Sequence, residues 1–184
     1  MRLGHKLIMK WISCLFALLV LFPPAMTLAD EAAGIAVKKA AKPKHPGASG
    51  LPTPRFVSLA SKKVNMRAGP GVRYPIAWVY KRQGTPFMVM AEHEYWRKVR
   101  DINGTEGWMH RSLLSGRRTA VLRAGITELR RAPEATAPII MRAEAGVIGK
   151  LLVCQKSWCQ MDLNDTKAWL PRTVIFGVLP NEQF

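Results

Sequence analysis

The sequence predicts an all-β protein made of two small β-barrels in tandem, which follow a signal peptide and a disordered basic linker. Three observations predict this fold. From residue 55 onward, short strand-forming runs such as RFVSLA, IAWVY and PFMVMAE are separated by turn residues about every ten positions. No long amphipathic helical pattern occurs in the chain. Finally, a segment of roughly 60 residues occurs twice.

The repeat appears as matched motifs at a nearly constant spacing. Met66–Pro70 matches Leu129–Pro133 at an offset of 63 residues, and Gly107–Met109 matches Ala168–Leu170 at an offset of 61. A drift of two residues is what small deletions in loops would produce. One β module is therefore used twice.

The N-terminal segment, residues 1–29, has the pattern of a cleaved signal peptide. Basic residues precede an uncharged apolar run from Trp11 to Phe22, and small residues suit cleavage after Ala29. An uncleaved anchor is the alternative, but the apolar run is shorter than the roughly 20 residues of a spanning helix. A lipoprotein at Cys14 is disfavoured because that cysteine lies inside the apolar run, with almost no h-region before it. We therefore expect an exported, periplasmic protein without a stable transmembrane segment.

Composition narrows the possible partners. The chain has 28 basic and 12 acidic residues, and residues 1–29 contain three of the basic and none of the acidic ones, which leaves a net charge of about +13 after cleavage. An exported basic protein meets no genomic nucleic acid, so its field would face anionic envelope material. A solvated basic surface without a partner is the alternative.

Residues 30–54 are rich in Ala, Lys and Pro and lack apolar periodicity, which predicts a flexible linker.

The stretch KVNMRAGPGVRYPI, residues 63–76, raises the question of a phosphate-binding loop. It contains neither Gly-Lys-Ser/Thr nor GxGxxG opening a helix, so phosphate binding is not expected. Val64 and Met66 alternate with polar neighbours, which indicates a half-buried strand. We expect Gly69-Pro70-Gly71 to supply the backbone freedom of a reversal, and Pro75 to hold Tyr74 extended.

These residues, together with YWRKVR and GTEGWMHRSLL, resemble the bacterial SH3 (SH3b) family. The resemblance covers about 130 residues as two copies, with domains at 55–119 and 120–184. The second copy is degenerate because it lacks the Asn and both turn glycines. The resemblance implies tandem SH3-like barrels that act as non-enzymatic binding modules in envelope proteins.

Two cysteines remain after signal cleavage, Cys154 and Cys159. In the repeat alignment they correspond to Glu92 and Arg97. A four-residue hairpin loop would place each pair directly across two strands, at a Cα separation near the short end of the disulfide range. We predict a disulfide in the second copy and an ion pair in the first. Metal binding is the alternative, but no His or acid lies at ligand spacing.

Catalysis is not expected, and neither is a cofactor or a metal. No residues are left over for an enzyme domain once the signal, linker and two barrels are counted. Of the four histidines, His93 and His110 lie in the predicted barrels, and a lone loop histidine is more often a surface residue than a catalyst.

A ligand surface is predicted in the first copy, where aromatic residues concentrate. Alternation in IAWVY places Ile76, Trp78 and Tyr80 on one face and Ala77 and Val79 on the other. One face must be core, and if the smaller residues point inward, Trp78 and Tyr80 form an exposed aromatic platform. The predicted ligand-binding residues are Arg73, Tyr74, Trp78, Tyr80, Arg82 and Arg97, with Lys81 beside them. Four other tryptophans recur in both copies and are expected in core or inter-strand packing: Trp96, Trp108, Trp158 and Trp169.

The expected ligand is peptidoglycan or its stem peptide, because the resemblance points to the envelope and basic residues would complement carboxylates. The alternative is a protein–protein adaptor of the periplasm that takes extended peptide segments of envelope proteins.

Overall fold

The computed structural model describes residues 48–123 and 125–184. This part of the chain contains fourteen β-strands, two short 3-10 helices and no α-helix. Neither of its helices is long or apolar enough to cross a membrane. The predicted signal peptide and the first part of the predicted linker, up to residue 47, lie outside the described residues.

The strands form two seven-stranded antiparallel sheets, one for each copy of the repeat, and the prediction of two tandem SH3-like β domains is confirmed. The first sheet has the order β3-β2-β6-β5-β4-β1-β7 and contains β1 (Arg55–Leu59), β2 (Val64–Arg67), β3 (Ile76–Tyr80), β4 (Pro86–His93), β5 (Trp96–Arg100), β6 (Glu106–His110) and β7 (Leu114–Ser115). The 3-10 helix η1 (Arg111–Leu113) lies between β6 and β7.

The second sheet repeats this order as β10-β9-β13-β12-β11-β8-β14. It contains β8 (Thr119–Leu122), β9 (Ile126–Arg130), β10 (Ile139–Glu144), β11 (Ile148–Gln155), β12 (Trp158–Leu163), β13 (Thr166–Pro171) and β14 (Ile175–Phe176), with the 3-10 helix η2 (Arg172–Val174) before β14. Because β8 belongs to this sheet, the second barrel begins at about Thr119.

Each barrel has its own apolar core. Alternate residues along each strand face inward and supply it. The first core consists of Leu59, Val64, Met66, Phe87, Val89, Val99 and Met109. The second core includes Leu122, Leu129, Leu151, Met161, Leu163, Leu170 and the two cysteines. The recurrent tryptophans, all half-buried, are absent from both cores. Trp96, for example, alternates with the buried Arg97 and Val99, so it packs on the outer face of the sheet.

The reversal between β2 and β3 has a different basis from the one its glycines predict. Neither Gly69 nor Gly71 has a positive φ, so left-handed backbone freedom is not what selects them. A Cβ at Gly69 would overlap with the ring of Tyr74, which lies directly against this glycine. The second copy has Ala132 in place of Gly69 and Ala137 in place of Tyr74, so the missing ring leaves room for a methyl group.

The predicted cross-strand pairs are present in both barrels. Cys154 lies opposite Cys159 at a Cα separation of 4.1 Å, and the two form a disulfide. Glu92 lies opposite Arg97, with 3.0 Å between the Arg97 Nε and the Glu92 Oε1. The pairing continues for one further residue pair, so each hairpin loop has two residues rather than four.

The described end of the predicted linker is packed against the first barrel, contrary to the expectation of a free tether. Ser49 donates hydrogen bonds from its backbone N–H and its hydroxyl to the two carboxylate oxygens of Glu92, both at 2.8 Å. Thr53 is buried. Residues 48–54 therefore cover one side of the Glu92 ion pair.

An apolar contact joins the two barrels. The rings of Phe56 and Phe176 meet edge to face at a centroid distance of 5.0 Å, and Val121 completes a small buried cluster with them. Two hydrogen bonds also cross between the barrels, from the Thr119 hydroxyl to the Gly84 carbonyl and from Arg82 to the Gly146 carbonyl, each 2.7 Å long. The barrels therefore pack against each other as well as being joined by the chain.

Candidate functional site

Exposed apolar side chains concentrate at one edge of the first barrel. Five of the eleven large hydrophobic residues that are exposed in the described chain lie between residues 72 and 79, within eight consecutive positions. Together with the exposed Arg73 they form what we call the β3 surface: Val72, Arg73, Tyr74, Ile76, Trp78 and Val79. Trp78 is 58% exposed and Tyr74 is 47% exposed. Several exposed large apolar side chains on one short segment point to an interaction site, whereas single exposed ones are common on any protein.

The position of β3 in the sheet explains this exposure. β3 is the terminal strand and pairs only with β2, so its other edge carries backbone groups without a strand partner. Trp78 lies opposite the fully buried Met66, which places it on the core side of the sheet. At the end of the sheet the core no longer covers it, and the indole ring faces solvent.

The loop that leads into β3 is held in place by backbone contacts. The Arg67 guanidinium donates to the Tyr74 carbonyl at 2.7 Å, and the N–H of Ala68 donates to the Pro75 carbonyl at 3.0 Å. The second barrel repeats the first contact with Arg130 and the Ala137 carbonyl, also at 2.7 Å. In both barrels this arginine binds the carbonyl of the residue before the proline and holds the loop that leads into the edge strand.

The β3 surface belongs to a basic stretch of the sequence. Residues 55–91 contain seven basic residues and no acidic residue. Arg73 belongs to the surface itself, and the exposed Lys81 follows β3 directly. An anionic ligand would therefore be attracted towards this edge, and carboxylates near the aromatic side chains would not meet a like charge within this stretch of sequence.

Of the six predicted ligand-binding residues, the structure brings Arg73, Tyr74 and Trp78 together on the β3 surface. The core alternative for Trp78 is wrong, because β3 is an edge strand.

Tyr80 lies opposite the buried Val64 and packs edge to face on Phe87 at 4.8 Å, so it is not part of an exposed platform. Its hydroxyl donates to the Asp101 carboxylate at 2.9 Å. Burial, followed by the hydrogen bond and charge of Asp101, raises the pKa of the Tyr80 hydroxyl above its usual range. Tyr80 therefore stays protonated and fixes the end of β3 on the core.

Two predicted arginines also lie elsewhere. Arg97 is 5% exposed and is paired with Glu92, so it cannot flank an exposed platform, and the expectation of its exposure is corrected. Arg82 is exposed but donates to the Gly146 carbonyl of the second barrel. Three members of the surface were missed from the sequence: Val72, Ile76 and Val79. The available signal was the run IAWVY itself, which has no polar residue on either face.

A second group of aromatic residues lies on the outer face of the first sheet. The centroid of the His110 ring lies 5.5 Å from that of Trp96 and 6.1 Å from that of Tyr95. The Arg111 Cζ lies over the Tyr95 ring, 4.9 Å from its centroid. The His110 Nδ1 is 2.7 Å from the Ser112 hydroxyl, which fixes the ring at the start of η1. No grouping of three or more His, Cys, Asp or Glu side chains that could hold a metal occurs among residues 48–123 and 125–184.

The second barrel has a reduced counterpart of the β3 surface. Ala137 replaces Tyr74 and is buried, while Met141 replaces Trp78 and packs against the core. Only Ile139 and Ile140 remain as exposed large apolar residues in this counterpart. The two barrels therefore share a fold but not this surface.

Two small barrels, one of which presents an ordered apolar edge strand in a basic region, define a binding domain by fold and by surface. The family model described as bacterial SH3 domain matches residues 60–116 and 124–177. The chain belongs to the bacterial SH3 domain family. Domains of this family are typically binding modules, and they occur in proteins of the cell envelope.

Two solved structures are similar to the chain, NlpC1 and NlpC2 from Trichomonas vaginalis. Their identities to the chain are 12% and 11%, and each match covers 67% of this chain with a TM-score of 0.32. The chain spans only 45% and 48% of their lengths, and likeness at this level carries no argument about function. A comparison with the curated proteins gives no match.

Proposed function

We propose that the protein is an exported, non-enzymatic binding module of the cell envelope that recognises peptidoglycan or its stem peptide through the β3 surface. The observation that carries the proposal is the exposure of Tyr74 and Trp78 on an ordered edge strand within an acid-free basic stretch. Aromatic side chains offer flat apolar contact to sugar rings and peptide, and arginine offers hydrogen bonds to carboxylates. The family's occurrence in envelope proteins supports this ligand class.

The test is co-sedimentation of the protein with purified peptidoglycan sacculi at low and at moderate salt. Trp78→Ala should reduce retention at least about tenfold, as expected for a tryptophan at the centre of a contact. The matched control is Tyr95→Ala, because Tyr95 is 56% exposed on the same barrel but lies outside the β3 surface. Retention that survives moderate salt and depends on Trp78 but not on Tyr95 would support wall binding. Retention at low salt only, or equal losses in both variants, would contradict it.

The free edge of β3 favours one alternative, a periplasmic protein–protein adaptor. An extended peptide segment of another envelope protein could add to this edge as a further strand, with backbone hydrogen bonds giving affinity and Ile76 and Trp78 contacting its side chains. Amide hydrogen exchange distinguishes the two functions. Protection of residues 76–80 by periplasmic extract and not by sacculi would favour the adaptor, whereas protection by sacculi alone would favour wall binding.

A further inference from the structure

A pocket lies on the first barrel outside the β3 surface, and four of the eleven residues that line it are arginines. Its volume is about 370 Å³, and the four arginines that line it are Arg55, Arg97, Arg111 and Arg118. We call it the arginine pocket. None of its lining residues belongs to the β3 surface, so an inference about it does not depend on the proposed function.

The carboxylates around this pocket do not balance its charge. Arg55 and Arg97 share the single carboxylate of Glu92, whose side chain is fully buried. Arg118 pairs with Glu182. Arg111 has no carboxylate within ion-pair distance among residues 48–123 and 125–184; its guanidinium lies over the Tyr95 ring. Four guanidinium groups therefore face two carboxylates, which leaves an excess of two positive charges.

The excess charge affects the most buried member of the set. Burial lowers the pKa of Arg97, Glu92 opposes this effect, and the nearby guanidinium groups of Arg55 and Arg111 lower it further. Like charges at this distance repel, and the repulsion is larger where the surroundings are partly desolvated. An anion that entered the pocket would relieve this repulsion.

The second barrel shows what occupies the corresponding place there. In the repeat, Arg118 corresponds to Arg55 at an offset of 63, and Arg172 corresponds to Arg111 at an offset of 61. The correspondence holds in the backbone: the N–H groups of Arg111 and Arg172 donate to the Tyr95 and Ser157 carbonyls, both at 2.8 Å.

These two arginines of the second barrel hold an acidic segment of the chain's own C-terminal region. Arg172 donates to the carbonyls of Leu179 and Glu182 at 2.8 and 2.7 Å. Arg118 binds both carboxylate oxygens of Glu182, one of them at 2.9 Å, and the Leu179 N–H donates to the same carboxylate at 3.0 Å. An acidic peptide segment is thus folded onto this arginine pair.

In the first barrel the chain takes another course at this point. After β7 it continues through Gly116 and Arg118 into the second barrel, and among residues 48–123 and 125–184 no segment equivalent to Leu179–Glu182 lies on Arg55 and Arg111. Ser49 and Leu51 line one side of the pocket but bring no carboxylate. The pocket is left open, with Arg111 free to bind.

We propose that the arginine pocket binds a short acidic peptide segment, of the kind that the second barrel binds in cis. Arg111 supplies the guanidinium that binds the segment, as Arg172 does in the second barrel, and the uncompensated positive charge of the arginine set attracts the ligand carboxylate. Planar guanidinium groups bind carboxylates through two parallel hydrogen bonds, so the site discriminates an acidic side chain from its amide.

The test is an NMR titration of the protein with the capped peptide Leu-Pro-Asn-Glu, the sequence of residues 179–182. We expect saturable shifts at Arg55, Arg111 and Gly116, and affinity at least about tenfold weaker in Arg111→Gln, because a charge-assisted pair is lost. The matched control is Lys62→Gln, which removes one exposed positive charge of the same barrel outside both the pocket and the β3 surface and should bind the peptide as the parent protein does.

The same peptide with glutamine in place of its glutamate should not bind. The proposal is overturned if the parent protein shows no saturable shifts, if the two peptides bind equally, or if Lys62→Gln weakens binding as much as Arg111→Gln. A further arm adds soluble stem peptide as a competitor. If it displaces the Leu-Pro-Asn-Glu peptide, the natural ligand of the pocket is a carboxylate of the wall; if it does not, the natural ligand is an acidic segment of a protein. Loss of sacculus binding in Trp78→Ala with the peptide affinity unchanged keeps this site separate from the β3 surface.

Discussion

At the scale of single residues, several positions are determined by one neighbour rather than by backbone conformation. Gly69 is glycine because the Tyr74 ring lies against it, and the copy without that ring has alanine at both positions. Arg67 and Arg130 recur because each fixes the carbonyl before a proline. The exposed Tyr74 is therefore a structural element of the loop as well as part of the β3 surface.

Gly69→Ala should destabilise the first barrel by about 1 to 3 kcal/mol, because the new methyl group displaces the Tyr74 ring. Denaturant unfolding of the protein measures this. The double variant Gly69→Ala with Tyr74→Ala reproduces the pair found in the second copy. It should be almost as stable as Tyr74→Ala alone, because the new methyl group no longer meets the ring. Additive effects in this cycle would show that the ring does not determine the glycine.

At the scale of strands and hairpins, the two barrels have a different cross-strand link at the same position of the repeat. The β4–β5 hairpin has a buried ion pair where the β11–β12 hairpin has a disulfide. Burial raises the pKa of Glu92, but the hydrogen bonds from Ser49 and from Arg55, together with the Arg55 charge, outweigh it, so the pKa lies below its usual range. Glu92 thereby joins the linker end, β1 and β5.

Glu92→Gln should destabilise the first barrel by about 3 kcal/mol or more, because it leaves the buried Arg97 without its counter-ion. The pH dependence should also change. Since the folded pKa of Glu92 is depressed, its contribution is present above the usual pKa of a glutamate and is lost as pH falls through the lowered value. Thermal unfolding of parent and variant from neutral to acid pH should therefore converge. Parallel curves would contradict this role for Glu92.

Removal of the disulfide should have a smaller effect. The bridge closes a loop between residues only five positions apart, so Cys154→Ala with Cys159→Ala should lower stability by about 2 kcal/mol and leave the barrel folded. Unfolding with and without reductant measures this for the parent protein. The double variant is the control, because reductant should not change its stability. Complete unfolding on reduction would show that the bridge holds the barrel rather than the hairpin.

The strand pairing at this hairpin could be predicted because the repeat aligns Glu92 with Cys154 and Arg97 with Cys159, and a disulfide fixes which residues face each other. The exposure of Trp78 could not, because alternation divides a strand into two faces without showing that β3 ends the sheet. The burial of the Glu92–Arg97 pair could not be predicted either, because Arg55 and Ser49 reach Glu92 only through long-range contacts. Charge alone suggested a surface position for Arg97, and long-range pairing decided otherwise.

At the scale of the whole molecule, the two barrels are joined by a buried apolar cluster as well as by the chain. Phe56, Val121 and Phe176 are each about nine-tenths buried or more, and neither barrel core includes them. Glu182, through Arg118, also ties the C-terminal region to the segment that connects the barrels. These contacts predict that the barrels unfold together.

Phe56→Ala should uncouple the barrels while leaving both cores intact, with a loss of about 3 to 5 kcal/mol for a buried phenylalanine. We expect the parent protein to show a single calorimetric transition and the variant to show two. Tyr95→Ala is the control, because it removes an exposed aromatic side chain of the same barrel. Two transitions in the parent protein would mean that the barrels are independent.

Ring contact between Phe56 and Phe176 also bears on how the molecule would meet a polymeric ligand. Two domains on a flexible tether can adjust to many spacings, but they lose that freedom when both engage one strand. Here the packing fixes the separation between the barrels before any encounter. A polymer would therefore gain affinity from contact with the second barrel only when its own repeat length matches the fixed spacing between the two barrels.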